Sequence, residues 1–173
     1  MELHMNGQHP SSQTPAQADR SIQPLALILL LGLAAVLFFV GLGSLGLTDR
    51  DEGRNAEAGR EMYETGNYIS PTFNYEPRFA KPVFVYWLMS LSYHVFGVSE
   101  FAARFPSAIF GVGLILLQYL FLTRCRGPVV GLFGAAMLLL NLEIIGLSRM
   151  ALTDSVLIFF TTLSLYGFWL GLY

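Results

Sequence analysis

The sequence predicts an all-α, polytopic membrane protein, with four transmembrane helices and further helices lying beside the membrane. Three observations predict it. Charged residues make up only 13% of the 173-residue chain, about half the ~25% usual in soluble domains. Several apolar runs approach the ~17–25 residues that a helix needs to cross a ~30 Å hydrocarbon core. One long polar segment, Thr48 to Lys81, gathers seven of the twelve acids and five of the ten bases between two such runs. That charge therefore sits at one membrane face. A net charge of −2 gives no footing for a nucleic-acid partner. The single cysteine, Cys125, has no partner for an intrachain disulfide and no metal-site spacing around it, and it reads as an inert thiol.

Residues 1–23, rich in Ser, Gln and Pro, have little to bury and read as a disordered tail. The rest, 24–173, reads as one transmembrane portion. Pro24 to Leu47 is almost continuously apolar and long enough to span. A cleaved signal peptide is the competing reading, but its apolar core is about 7–15 residues long and follows basic residues. The first external loop covers 48–100. Within it Thr48 or Asp49 can cap a helix that starts near Asp51, and Gly66-Asn67 can end it. Tyr68 to Lys81 contains Pro71 and Pro77 and reads as extended or turning. Pro82 suits a first helical position, but the apolar part that follows, to Gly97, is only about 15 residues, too short to span. With Tyr86, Trp87, Tyr93 and His94 it reads as an interfacial helix.

Ser99 and Glu100 open the next helix, and Phe101 to Leu122 crosses the membrane. The basic turn Arg124-Cys125-Arg126-Gly127-Pro128 follows, Val129 to Leu147 crosses back, and Ser155 to Tyr173 begins another span. A chain that stops inside an apolar helix predicts a piece of a longer protein. The glycines Gly41, Gly43, Gly46, Gly111 and Gly113 read as helix packing. If Lys81–Gly97 does not span, two crossings separate Asp51 from Asp154, and both share a face with Lys81 and Arg149. If it spans, the charges scatter to opposite faces. Charge counting does not settle orientation. The Asp51 face holds seven bases and the other face three (Arg20, Arg124, Arg126), which alone would put the acidic loop inside.

Five residues are candidates for chemistry. Asp51, at a helix start just after a span, is either a helix cap or a carboxylate usable as general base or metal ligand. Asp154 opens the last helix and carries the same two readings. Lys81 and Arg54 supply the fixed positive charge that a phosphate needs, or they pair with the loop's own acids. Arg149 is either a third cation of that site or the ion-pair partner of Asp154.

Set in order, Asp51-Glu52, Arg54, AEAGREMYETGNYISPTFNYEP, Lys81-Pro82 with Tyr86-Trp87, FGVSEFAARFPSAIFG and SRMALTDSVLIFF resemble the N-terminal part of the membrane-embedded C-type glycosyltransferases. The aminoarabinose lipid A transferases and the protein O-mannosyltransferases are the most similar groups. The resemblance covers Pro24 to Tyr173 and implies an incomplete C-type fold. It implies an inverting transfer of a sugar from a polyprenyl-phosphate donor to a lipid, glycan or protein acceptor. It also implies a multi-pass protein of the bacterial inner membrane, among membrane lipids, with its site on the periplasmic or external face. Carried over, Asp51 is the principal catalytic carboxylate, Asp154 the acid of the second external loop, and Lys81, with Arg54 and Arg149, the hold on the donor phosphate. A divalent cation is the one cofactor left open, with no residues assigned to it. Two positions depart from the pattern: Ala80 stands where an acid usually precedes Lys-Pro, and Asn55 where an aromatic is common. A non-catalytic membrane fragment or interaction subunit is the alternative.

Overall fold

The computed structural model describes residues 15–172, with side chains from residue 23 onward. The described residues form seven helices and one minimal hairpin. They are α1 (Pro15–Phe39), α2 (Arg50–Thr65), β1 (Thr72–Phe73), β2 (Glu76–Pro77), α3 (Val83–Phe96), α4 (Glu100–Arg126), α5 (Pro128–Leu139), α6 (Leu142–Ser148) and α7 (Asp154–Leu172). The helix α4 is the central post, with α5, α7, α3, α1 and α6 packed around it.

α4 and α7 are unbroken and apolar enough to cross a membrane, as expected for Phe101–Leu122 and Ser155–Tyr173. Tyr173 itself lies outside the described residues. Two other expected spans are modified. The helix over Pro24–Leu47 stops at Phe39, because Gly41 takes a left-handed φ of +69° and Leu42 and Ser44 turn back onto Phe39 and Gly41. The apolar helical part, Gln23–Phe39, rises only about 26 Å. Val129–Leu147 is a bent pair, α5 and α6, meeting at 68°. Asn141 breaks it: its side-chain oxygen accepts from the Glu143 and Ile144 amides and caps a new helix. At the N-terminal end α1 begins at Pro15, inside the stretch expected to be a disordered tail. Residues 1–14 of that tail lie outside the described residues.

The outer elements follow their local signals. The Asp49 side chain accepts from the Asp51 and Glu52 amides and caps α2, and Gly66 ends it at φ +67°. Asn74 and Tyr75, both at positive φ, make the two-residue turn of the hairpin. Ser99 caps α4 by accepting from the Ala102 amide.

Two apolar clusters hold the assembly. One joins α1, α4, α5 and the α5–α6 corner through Phe38, Leu42, Ala108, Ile115, Ala135 and Leu139. The other joins α2, α3, α4 and the start of α7 through Ala56, Val85, Met89, Ala102, Ala103 and Val156. Beyond its first turn α7 is largely exposed along its apolar length, a surface suited to lipid or to further helices.

Gly111 and Gly113 are packing glycines as expected, and so is Gly43, where a Cβ would stand 2.9 Å from that of Phe101 at the start of α4, whereas Gly41 and Gly46 serve the irregular segment past the end of α1. A Cβ at Gly111 would stand 2.7 Å from Ser148 Cβ and 3.1 Å from the Phe38 ring, prying α4 from α6 and α1 together. Gly111→Val is therefore expected to cost about 1–3 kcal/mol. Gly32→Ala, where nothing lies within 4 Å, should stabilise by a few tenths to about 1 kcal/mol. Thermal unfolding in detergent should move the two variants in opposite directions.

Candidate active site

Helix α2 presents two adjacent acids in opposite senses, because successive helical side chains diverge by about 100°. Asp51 faces outward with its side chain 49% exposed, and Glu52 is fully buried. Since Asp49 supplies the cap, the Asp51 carboxylate is spared that duty. Its Oδ1 lies 3.8 Å from Arg54 Nη1, and its Oδ2 lies 4.0 Å from Lys81 Nζ. Both separations are too long for hydrogen bonds, so neither cation is committed to the acid. Lys81 reaches the site because the hairpin returns the chain to the top of α3. The Glu61 carboxylate anchors that hairpin by accepting from the Thr72 hydroxyl and the Tyr75 amide.

The start of α7 is held against α2 through one residue. The Ala151 amide donates to Glu52 Oε1 at 2.9 Å, and the Ala151 carbonyl accepts from Asn55 Nδ2 at 3.2 Å. This brings Asp154, three residues on, to the same rim. Thr153 and Pro82 line one cavity of about 190 Å³ with Phe84, Val85, Val156, Leu157 and Phe160, so the starts of α3 and α7 stand side by side. The rim is polar and the cavity beside it apolar. Among the described residues Asp154 makes no hydrogen bond or ion pair, and the Arg149–Asp154 pair is not formed. Arg149 turns the other way, its Nη1 donating to the Leu37 carbonyl near the end of α1 at 2.5 Å. Of the five candidates, Asp51, Arg54 and Lys81 form one cluster, Asp154 is tethered to it through Ala151, and Arg149 gives one donor to α1.

The residues that build this arrangement are Glu52 and Arg104. Arg104 uses all five of its N–H donors. Nε and Nη2 reach Glu52 at 2.7 and 3.1 Å, Nη1 reaches the Leu42 and Leu45 carbonyls at 2.8 and 2.7 Å, and Nη2 also reaches Gly46 at 2.9 Å. Glu52 Oε2 accepts in addition from the Thr48 amide at 3.2 Å. Burial pushes the Glu52 carboxyl up. The hydrogen bond and charge of Arg104 and the amides of Ala151 and Thr48 more than offset this and hold it below its ordinary value of 4.5. Neither residue was a candidate from sequence, although a base four residues into an otherwise apolar helix demands a partner. Glu57, one turn before Glu61 on α2, pairs with Arg60. Among the described residues no three of His, Cys, Asp and Glu converge, and no step is routed through a metal ion.

Comparison with known proteins agrees with this frame. Residues 26–172 match the model of the dolichyl-phosphate-mannose-protein mannosyltransferase family. The chain belongs to that family. It is 38% identical over 142 residues to an uncharacterised protein of Aquifex aeolicus (strain VF5), covering 82% of this chain and 34% of that one. It is 36% identical over 149 residues to undecaprenyl phosphate-alpha-4-amino-4-deoxy-L-arabinose arabinosyl transferase 2 of Pseudomonas fluorescens (strain Pf0-1), covering 85% of this chain and 27% of the relative. The crystal structure of ArnT from Cupriavidus metallidurans bound to undecaprenyl phosphate superposes with a TM-score of 0.77 at 28% identity, over 81% of this chain and 26% of that one. The chain thus spans about a third or less of the length of these relatives. Membership makes it part of a membrane glycosyltransferase family with an all-helical fold.

Glu52→Gln should expose the pair's weight. Glu52 titrates lower in the folded chain than its ordinary 4.5, so its stabilisation is complete above that value and is lost as the pH falls through the folded value. Wild type should lose thermal stability over that acid range, and Glu52→Gln should show a flatter profile from a lower plateau. Arg104→Ala, which strands a buried carboxylate, should cost about 3–5 kcal/mol. A thermal shift series against pH reads both.

Proposed function

We propose that this chain carries the catalytic rim of an inverting glycosyltransferase, one that moves a sugar from a polyprenyl-phosphate donor to a lipid, glycan or protein acceptor. The observation that carries the reading is a half-exposed carboxylate, Asp51, set between two uncommitted cations and beside an apolar cavity. A lipid-linked donor needs both halves of that arrangement. Its isoprenoid chain needs an apolar surface at membrane depth, and its phosphate needs positive charge at the boundary. ArnT from Cupriavidus metallidurans, which shares the fold, is bound to undecaprenyl phosphate in its crystal structure, which supports the same donor class here.

In the proposed reaction Asp51 accepts the proton of the acceptor hydroxyl as its oxygen attacks the anomeric carbon. The bond from that carbon to the phosphate oxygen breaks on the opposite side, and its electron pair leaves with the phosphate. Charge grows on the leaving phosphate, where Lys81 and Arg54 offset it. Asp154, without a partner among the described residues, orients the acceptor or a sugar hydroxyl. Arg149 acts at one remove, holding the end of α1 beneath the rim.

An external, periplasmic position for the rim belongs to the same proposal. On the Asp51 face six of the seven bases, Arg54, Arg60, Arg78, Lys81, Arg104 and Arg149, face carboxylates, backbone carbonyls or aromatic groups, and Arg50 alone has no such partner among the described residues. On the opposite face Arg124 and Arg126 face no carboxylate among the described residues. A bias toward retaining Lys and Arg inside acts on positive charge near the helix ends. Bases hydrogen-bonded to partners in an outer domain, as Arg60, Arg78, Arg104 and Arg149 are, weigh less in it than their number suggests.

Transfer from a polyprenyl-phosphate sugar by the full-length protein tests the reading. Asp51→Asn should lower kcat by about 10²–10⁴, and Lys81→Ala should lower kcat/KM for the donor by about 10²–10³. Near-normal turnover in both variants overturns the assignments. No transfer by the wild type would favour a non-catalytic membrane subunit.

A further inference from the structure

The C-terminal end of α4, 27 residues long, lies about 40 Å from its start, at the end of the bundle away from the Asp51 rim. There Arg124, Cys125 and Arg126 of α4 and Trp169 and Leu170 of α7 line a cavity of about 310 Å³. The three α4 residues are exposed. Among the described residues neither arginine forms an ion pair or a side-chain hydrogen bond, whereas Arg54, Arg60 and Arg104 each face a carboxylate. The helix dipole favours cations at a C-terminus. It accounts for the charge but not for a second wall supplied by α7.

We propose that this cavity binds the headgroup of an anionic phospholipid, its phosphodiester between Arg124 and Arg126. Both helices are long and apolar enough to span, so their shared end lies at the depth of lipid headgroups. Trp169 is the side chain expected at that level. Basic pockets between transmembrane helices are suited to anionic headgroups. The volume is at the lower end of the roughly 300–1,000 Å³ of small-molecule sites, enough for a headgroup but not for acyl chains. Exposed apolar side chains below the pocket, Leu120 on α4 and Leu165 and Phe168 on α7, offer the acyl chains a surface. The site is independent of the reaction proposed for the opposite rim.

Native mass spectrometry of the full chain, released from bilayers mixing phosphatidylglycerol and phosphatidylcholine, tests this. Wild type should retain phosphatidylglycerol in preference to phosphatidylcholine, and the retention should weaken as salt rises. Each arginine is worth about fivefold in affinity, so R124Q/R126Q should bind about 30-fold more weakly and R126Q alone about fivefold. R124K/R126K should retain the lipid to within a few-fold. Equal retention of both lipids, unchanged retention in R126Q and R124Q/R126Q, or displacement by inorganic phosphate alone would each overturn the proposal.

Discussion

A carboxylate and a guanidinium, both almost fully removed from solvent, meet where α1, α2, α4 and the loop before α7 come together. Glu52 and Arg104 are 0% and 6% exposed at their side chains. Taking two such ions out of water costs several kcal/mol each, even after relaxation. The cost is tolerable because nothing in the pair is left unpaired. Glu52 receives two guanidinium donors and two backbone amides, and Arg104 spends its remaining donors on three carbonyls just past the end of α1. Those carbonyls lie in the irregular turn that follows α1, where no helix or strand ladder supplies donors, and a buried carbonyl left without one is costly. Arg149 donates to the Leu37 carbonyl in the last turn of α1, one of the C=O groups a helix end leaves short of partners. One arginine therefore holds the end of α1 and the other the turn that follows it, and Arg104 also locks the orientation of α2. The placement of α2 and of the start of α7 in the candidate site follows from this junction.

Glu52 and Asn55 show how a site is aimed by residues that never enter it. They hold the amide and the carbonyl of Ala151 from one face of α2. The backbone that leads to Asp154 is then fixed in two directions, while Asp51 and Arg54 look outward from the neighbouring face. Much of this was legible in the sequence where local chemistry dominates. A cap at Thr48 or Asp49, the Gly66 stop and the two long spans follow from residue type, whereas the hairpin turn at Asn74-Tyr75, with a tyrosine at positive φ, does not. What was not legible depended on distant partners. The break at Asn141 requires its side chain to prefer capping over continuing a helix, a choice settled by how α6 packs against α4 and α1. The early end of α1 depends on Arg149 waiting at the Leu37 carbonyl and on Arg104 holding the turn beyond it. Pairing Arg149 with Asp154 was reasonable from spacing, yet the carbonyl of Leu37, 112 positions away, took the guanidinium instead.

The same physics explains why the outward acid can work where the inward one cannot. Glu52, with four donors around it, has no capacity left to accept a proton from a substrate without dismantling its shell. Asp51 has only two cations, at 3.8 and 4.0 Å, and about half of its side-chain surface is in water. At 4 Å a pair of unit charges is worth about 1 kcal/mol in bulk water and about 4 kcal/mol at an effective dielectric of 20. The cluster is thus weakly coupled while wet and several times more strongly coupled once a bulky ligand displaces the water. A lipid-linked donor lying along the apolar cavity beside Pro82 and Thr153 would bring its own low-dielectric surface to the rim. The positive charge of Lys81 and Arg54 would then act at full strength only when the donor is present. Burying the whole cluster from the start would have carried the desolvation cost of Glu52 and Arg104 again, without the backbone groups that make that pair tolerable.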